Sequence, residues 1–81
     1  MSCESTIVPD KPNWEPLERF LAREECELFM YMGRHGGIEL YKHYDTRRYL
    51  NIAATSDHFY QYLDGKYVEI SQDAALAYVR G

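Results

Sequence analysis

The spacing of apolar and polar positions changes twice along the chain. Trp14, Leu17, Phe20 and Leu21 recur at helical intervals. Asn13 precedes them as a candidate cap. Pro16 is tolerated among first-turn amides that have no intrahelical partner. Glu15 and Glu18 sit where the helix dipole favours carboxylates, and the spacing predicts a helix over Trp14 to Glu24. From Glu27 the period becomes two. Alternating runs cover Glu27 to Gly33, Gly37 to His43, Arg47 to Ala53, His58 to Leu63 and Lys66 to Ile70, each bounded by turn-forming residues. Helical spacing returns at the end. Ser71 is placed to cap, Asp73 lies in the first turn, and Ala75, Leu76 and Val79 share a face.

The turns set an expected register. Asp64-Gly65 is a strong two-residue hairpin signal and pairs Leu63 with Lys66 and Phe59 with Ile70. A four-residue loop at Ala54 to Asp57 pairs Ile52 with Phe59. Arg34-His35-Gly36, taken as a three-residue loop, pairs Met32 with Ile38. Tyr44-Asp45-Thr46 in turn pairs Leu40 with Leu50 and Tyr41 with Tyr49. The resulting expectation is an α+β fold: a five-stranded antiparallel meander in the order 1-2-3-4-5, with an N-terminal and a C-terminal helix packed on one face. That face would carry Met30, Met32, Ile38, Leu40, Leu50, Ile52, Phe59, Val68 and Ile70. The other would present Phe29, Tyr31, Tyr41, Tyr49, Tyr60, Tyr62 and Tyr67, accompanied by Glu39, Asn51 and Glu69.

Composition gives that second face its interest. The 81 residues suffice for one domain, expected over 13–81 behind a flexible Pro-containing segment 1–12. Eight tyrosines bring the aromatic share to 15%, and Tyr suits both half-buried sheet positions and contact surfaces. A row of them is therefore either sheet support through cross-strand pairs or a surface for a homodimer, a partner protein or a stacked ligand.

Charge adds a second feature. The net charge of −4 opposes broad attraction to nucleic acid or anionic membranes. Locally, however, Lys42, His43, Arg47, Arg48 and Lys66 gather as a candidate anion-binding cluster. The same cations can serve the chain's own Glu24, Glu25, Glu27, Asp45 and Asp64, which is the expectation for a surface cluster.

Catalytic and metal chemistry find little in the sequence. Cys3 and Cys26 form neither a disulfide framework nor a CxxC pair, which suits reduced thiols and a cytoplasmic protein. No apolar run approaches the ~20 residues of a membrane span, and no signal-peptide order is present. His35 and His58 fall at one end of the expected sheet and His43 at the other, so no metal site is expected. Ser56 beside His58 is not a triad, Gly36-Gly37 is a turn and not a phosphate loop, and Glu39 with Glu69 lacks a cleft. No catalytic residue and no cofactor is expected. The leading expectation is a non-catalytic interaction domain using the Tyr-rich face for a homodimer or a partner protein. The alternative is single-stranded nucleic-acid or nucleotide binding by Tyr stacking over the basic cluster, and a small hydrolase or transferase without an identifiable mechanism ranks third.

Overall fold

The computed structural model describes residues 11–81, so the expected flexible segment 1–12 falls almost wholly outside the described residues. The chain forms α1 (Glu15–Phe20), α2 (Arg23–Cys26), β1 (Phe29–His35), β2 (Ile38–His43), β3 (Tyr49–Ala53), β4 (Phe59–Leu63), β5 (Lys66–Ile70) and α3 (Gln72–Arg80). The strands make one antiparallel sheet in sequence order, as the turns predict.

The expected first helix is broken in two. Leu21 and Ala22 are extended (ψ 148° and 157°), which turns the buried Leu21 into the core while Glu24 of α2 stays in water. At the other end, Ser71 caps α3 by accepting from the Ala74 amide at 3.1 Å. Arg80 closes the last turn of α3 onto α2 with two hydrogen bonds to the Glu25 carboxylate, at 2.8 and 2.9 Å.

The pairing of β4 with β5 and of Ile52 with Phe59 follows the turn argument. The β2–β3 register does not. Tyr41 pairs with Leu50 and Leu40 with Asn51, one residue away from the expected register. The loop is Tyr44-Asp45-Thr46-Arg47, closed by His43 N–H donating to the Arg48 carbonyl, and its left-handed residue is Arg47 at φ 63°. A three-residue loop needs a left-handed residue that Tyr44, Asp45 and Thr46 do not readily supply. The longer loop has further support from side chains. The His43 ring accepts from the amides of Asp45 and Thr46, and the Thr46 hydroxyl donates to the Val79 carbonyl at 2.7 Å.

A one-residue slip reverses faces. Relative to β3, β4 and β5, the whole β1–β2 hairpin is turned over. Phe29, Tyr31 and Tyr41 therefore join Leu50, Ile52 and Phe59 on the helix-covered side, where Leu17, Leu21, Ala75, Leu76 and Val79 complete the core. Met30, Met32, Ile38 and Leu40, expected in that core, lie on the opposite side. Within the β1–β2 hairpin the tip is a two-residue Gly36-Gly37 turn, with φ 55° and 82°, in place of the expected three-residue loop. Positive φ at both positions is the demand of a type I′ turn, and glycine meets it without strain. A bulge between Tyr31 and Gly33 absorbs the difference, so the faces within this hairpin stay as expected.

The sheet is also coiled. His35 on β1 and Tyr67 on β5 stand at opposite edges, yet their rings lie 5.0 Å apart. Four strand spacings would hold the edges of a flat sheet ~19 Å apart. The face away from the described helices is thus concave, which accounts for the burial of Leu40 and Asn51 with none of those helices above them.

Candidate functional site

The slip divides the expected contact face. Phe29 and Tyr41 are buried, and the Tyr41 hydroxyl donates to the Asn13 carbonyl at 2.6 Å beneath the Trp14 ring. Tyr31 is half-buried, and its hydroxyl donates to Glu39 at 2.5 Å. Burial, reinforced by that carboxylate, pushes the Tyr31 phenol up to about 12. These three rings belong to the core and its rim, so their assignment to a contact surface is corrected. Tyr49, Tyr60, Tyr62 and Tyr67 remain on the open face, with Tyr62 57% and Tyr49 39% exposed. The Tyr62 and Tyr67 rings meet edge-on at 4.9 Å.

Glu39 shows what the reversal does to a polar residue. It was expected on the open face beside Glu69, but it is fully buried and held by Asn13, Tyr31 and Arg34, the last at 2.7 Å. Glu69 pairs with Tyr60 on the other side of the sheet, so the two carboxylates cannot act on one substrate. The Cys26 thiol donates to the Leu21 carbonyl, and burial raises its pKa, leaving it a poor nucleophile.

The basic cluster is also redistributed. His43 is buried and spends its ring nitrogen on the turn. Lys66 sits at the β4–β5 tip opposite Leu63, on the face away from Tyr67. Lys42 lies over the Tyr49 ring at 5.8 Å. Arg48 donates to the Tyr78 carbonyl at 2.9 Å and stacks on the Tyr78 ring, joining the β2–β3 loop to the carbonyl end of α3. The acids expected to neutralise the cluster do not do so. Glu25 is taken by Arg80, which lowers its pKa through their hydrogen bonds. Among the described residues, no acid lies within ion-pair distance of Lys42, Arg47, Arg48 or Lys66.

Arg47 and Arg48 instead border a cleft. The β3–β4 ladder holds two residue pairs, Asn51 with Tyr60 and Ile52 with Phe59, and does not continue to Tyr49 and Tyr62. Where the strands part, a cavity of about 470 Å³ opens, lined by Met32, Leu40, Tyr49, Tyr62 and Tyr67, with Arg47, Arg48 and Tyr78 at the loop end. Gln61, whose pairing with Val68 puts it on the other face of β4, also lines the cavity. Its wall also includes Asn51, 2% exposed, whose Nδ2 donates to the Tyr60 carbonyl at 3.1 Å. Sequence reasoning named the three tyrosines and both arginines. Asn51 was expected on the same face but without a site role, its signal being a polar residue inside an otherwise apolar run of β3.

Compared with known proteins, the chain matches no family model, no curated sequence and no solved structure. Among the described residues no three His, Cys, Asp or Glu side chains gather as a metal-binding group, and no helix is long and apolar enough to cross a membrane.

Proposed function

We propose that the chain is a non-catalytic binding domain whose open sheet face holds a small ring-bearing anion of nucleotide size. One observation carries this reading: Tyr49, Tyr62 and Tyr67 converge with Arg47 and Arg48 on a single cleft. Its volume falls within the ~300–1,000 Å³ of small-molecule pockets. Tyrosine faces stack planar rings, at ~1–3 kcal/mol per base in nucleic-acid sites, while guanidinium groups favour phosphate or carboxylate. The concave sheet supports a compact ligand over the flat protein contact expected from a straight Tyr row. Titration with nucleoside monophosphates, followed by calorimetry and amide shifts at Tyr49, Asn51 and Tyr62, tests this. Binding should weaken as salt rises and fall at least tenfold in Arg47→Gln/Arg48→Gln. Unmoved resonances at millimolar nucleotide would defeat the reading.

A second reading, self-association, draws on a different place. Leu63 and Val68 are exposed on the β4–β5 hairpin, on the face away from Tyr62 and Tyr67. A dimer formed there should dissociate in Leu63→Ser/Val68→Ser, measured by sedimentation, and a wild-type chain that stays monomeric at millimolar concentration would exclude it.

A further inference from the structure

One of the two cleft arginines is held by a residue outside the sheet. Arg48 donates through Nη1 to the Tyr78 carbonyl at 2.9 Å, and its guanidinium lies over the Tyr78 ring, 5.0 Å from the centroid. Both residues line the loop end of the cavity and both are exposed. Tyr78 belongs to an anchored turn. The Thr46 hydroxyl donates to the carbonyl of the buried Val79, and Arg80 bonds to Glu25 on α2. The Tyr78 carbonyl takes one N–H of Arg48, while contact with a ring face takes none. The remaining donors lie in the guanidinium plane, where they match the paired oxygens of a phosphate or carboxylate. Among the described residues, no acid lies within ion-pair distance to claim them.

We infer that Tyr78 is a positioning residue of this cleft, presenting the free edge of Arg48 to the anionic group of the ligand. The inference rests on the proposed ligand-binding function and adds a residue of α3 to it. Its physical ground is entropic. A loose arginine loses rotamer freedom when an anion immobilises it, whereas one already held has given up that freedom in folding. Tyr78 therefore acts on the anion through Arg48, and the planar ring of the ligand is left to Tyr49, Tyr62 and Tyr67.

The test uses uridine and uridine monophosphate, which share the ring and differ in the phosphate. Tyr78→Leu should weaken the monophosphate about two- to fivefold, the worth of a cation–aromatic contact at an exposed site, and leave uridine unchanged. Tyr78→Phe, which keeps the ring, should match the unaltered chain. In an Arg48→Gln background, Tyr78→Leu should cost nothing further. Equal monophosphate affinity in Tyr78→Leu, a parallel loss for uridine, or a further loss in Arg48→Gln would each overturn the positioning role and leave the binding function standing. Absence of binding by both ligands to the unaltered chain would overturn both. One reading needs no variant: the Arg48 Nε–H resonance of the unaltered chain should move with the monophosphate and stay still with uridine. An unmoved resonance in a chain that binds the monophosphate would overturn the inference even where a variant fails to fold.

Discussion

The first and last hairpins are both rich in tyrosine and end in opposite surroundings. β1–β2 brings Phe29, Tyr31 and Tyr41 beneath Trp14 and α1, whereas β4–β5 leaves Tyr62, Leu63 and Val68 in water. Residue chemistry does not separate them, because Tyr fits either place. The difference is made between the hairpins, at the loop Tyr44–Arg47. Its extra residue turns one hairpin over relative to the other, and a single loop length thereby decides which tyrosines become core and which become surface.

The largest effect is expected at the buried hairpin. Tyr41→Ala removes a fully buried ring together with the hydrogen bond to Asn13, and should cost ~3–5 kcal/mol in denaturant unfolding. A loss as small as that of an exposed tyrosine would place Tyr41 outside the core. Next comes the loop that assigns the faces. His43→Ala leaves the Asp45 and Thr46 amides without their acceptor and takes away the edge contact with Phe29, for an expected ~1–3 kcal/mol. Exchange of those two amides should quicken in the variant, and unchanged protection would show that the ring is not what holds the turn. Tyr62→Ser supplies the opposite arm. It deletes a cross-strand pair worth up to ~1 kcal/mol, so stability should barely move while nucleotide binding weakens. Equal loss of both would make Tyr62 sheet support.

The smallest effect belongs to the pair that ties α3 to α2. Arg80 depresses the Glu25 pKa, so the pair contributes stability above the ordinary value of 4.5 that is lost as pH falls through the lowered one. Half of the Arg80 side chain is exposed, and solvent screening holds the contribution below ~1 kcal/mol. Arg80→Gln should remove this part of the acid dependence and leave neutral-pH stability nearly intact. An unchanged acid limb in thermal melts would assign the dependence to other carboxylates.

Strand order, the β4–β5 register and the cap of α3 were legible because their signals are local. Asp64-Gly65 forces its own turn, and Ser71 bonds within its own helix. The β2–β3 register was not, since its left-handed residue is an arginine and its acceptors are a histidine ring and the far end of α3. Both partners lie outside the three residues of the turn. The site inherited the same division. Tyr49, Tyr62, Tyr67, Arg47 and Arg48 could be named from sequence, yet their shared cleft depends on β3 and β4 parting below Asn51. No turn residue marks that point, and the hold of Tyr78 on Arg48 emerges only from three-dimensional packing.

The contact between His35 and Tyr67 has a consequence for life in a crowded solution. An open sheet presents two rows of unpaired amides and carbonyls, and long flat edges are templates on which a second chain can add strands until material precipitates. Here the coil of the sheet brings β1 and β5 round toward each other at the His35 end, so that part of each edge faces its own molecule. Edge-to-edge growth into fibrils needs a straight, accessible strand. By bending one sheet far enough for its borders to touch, the chain guards against such growth while keeping the hollow that the bend creates.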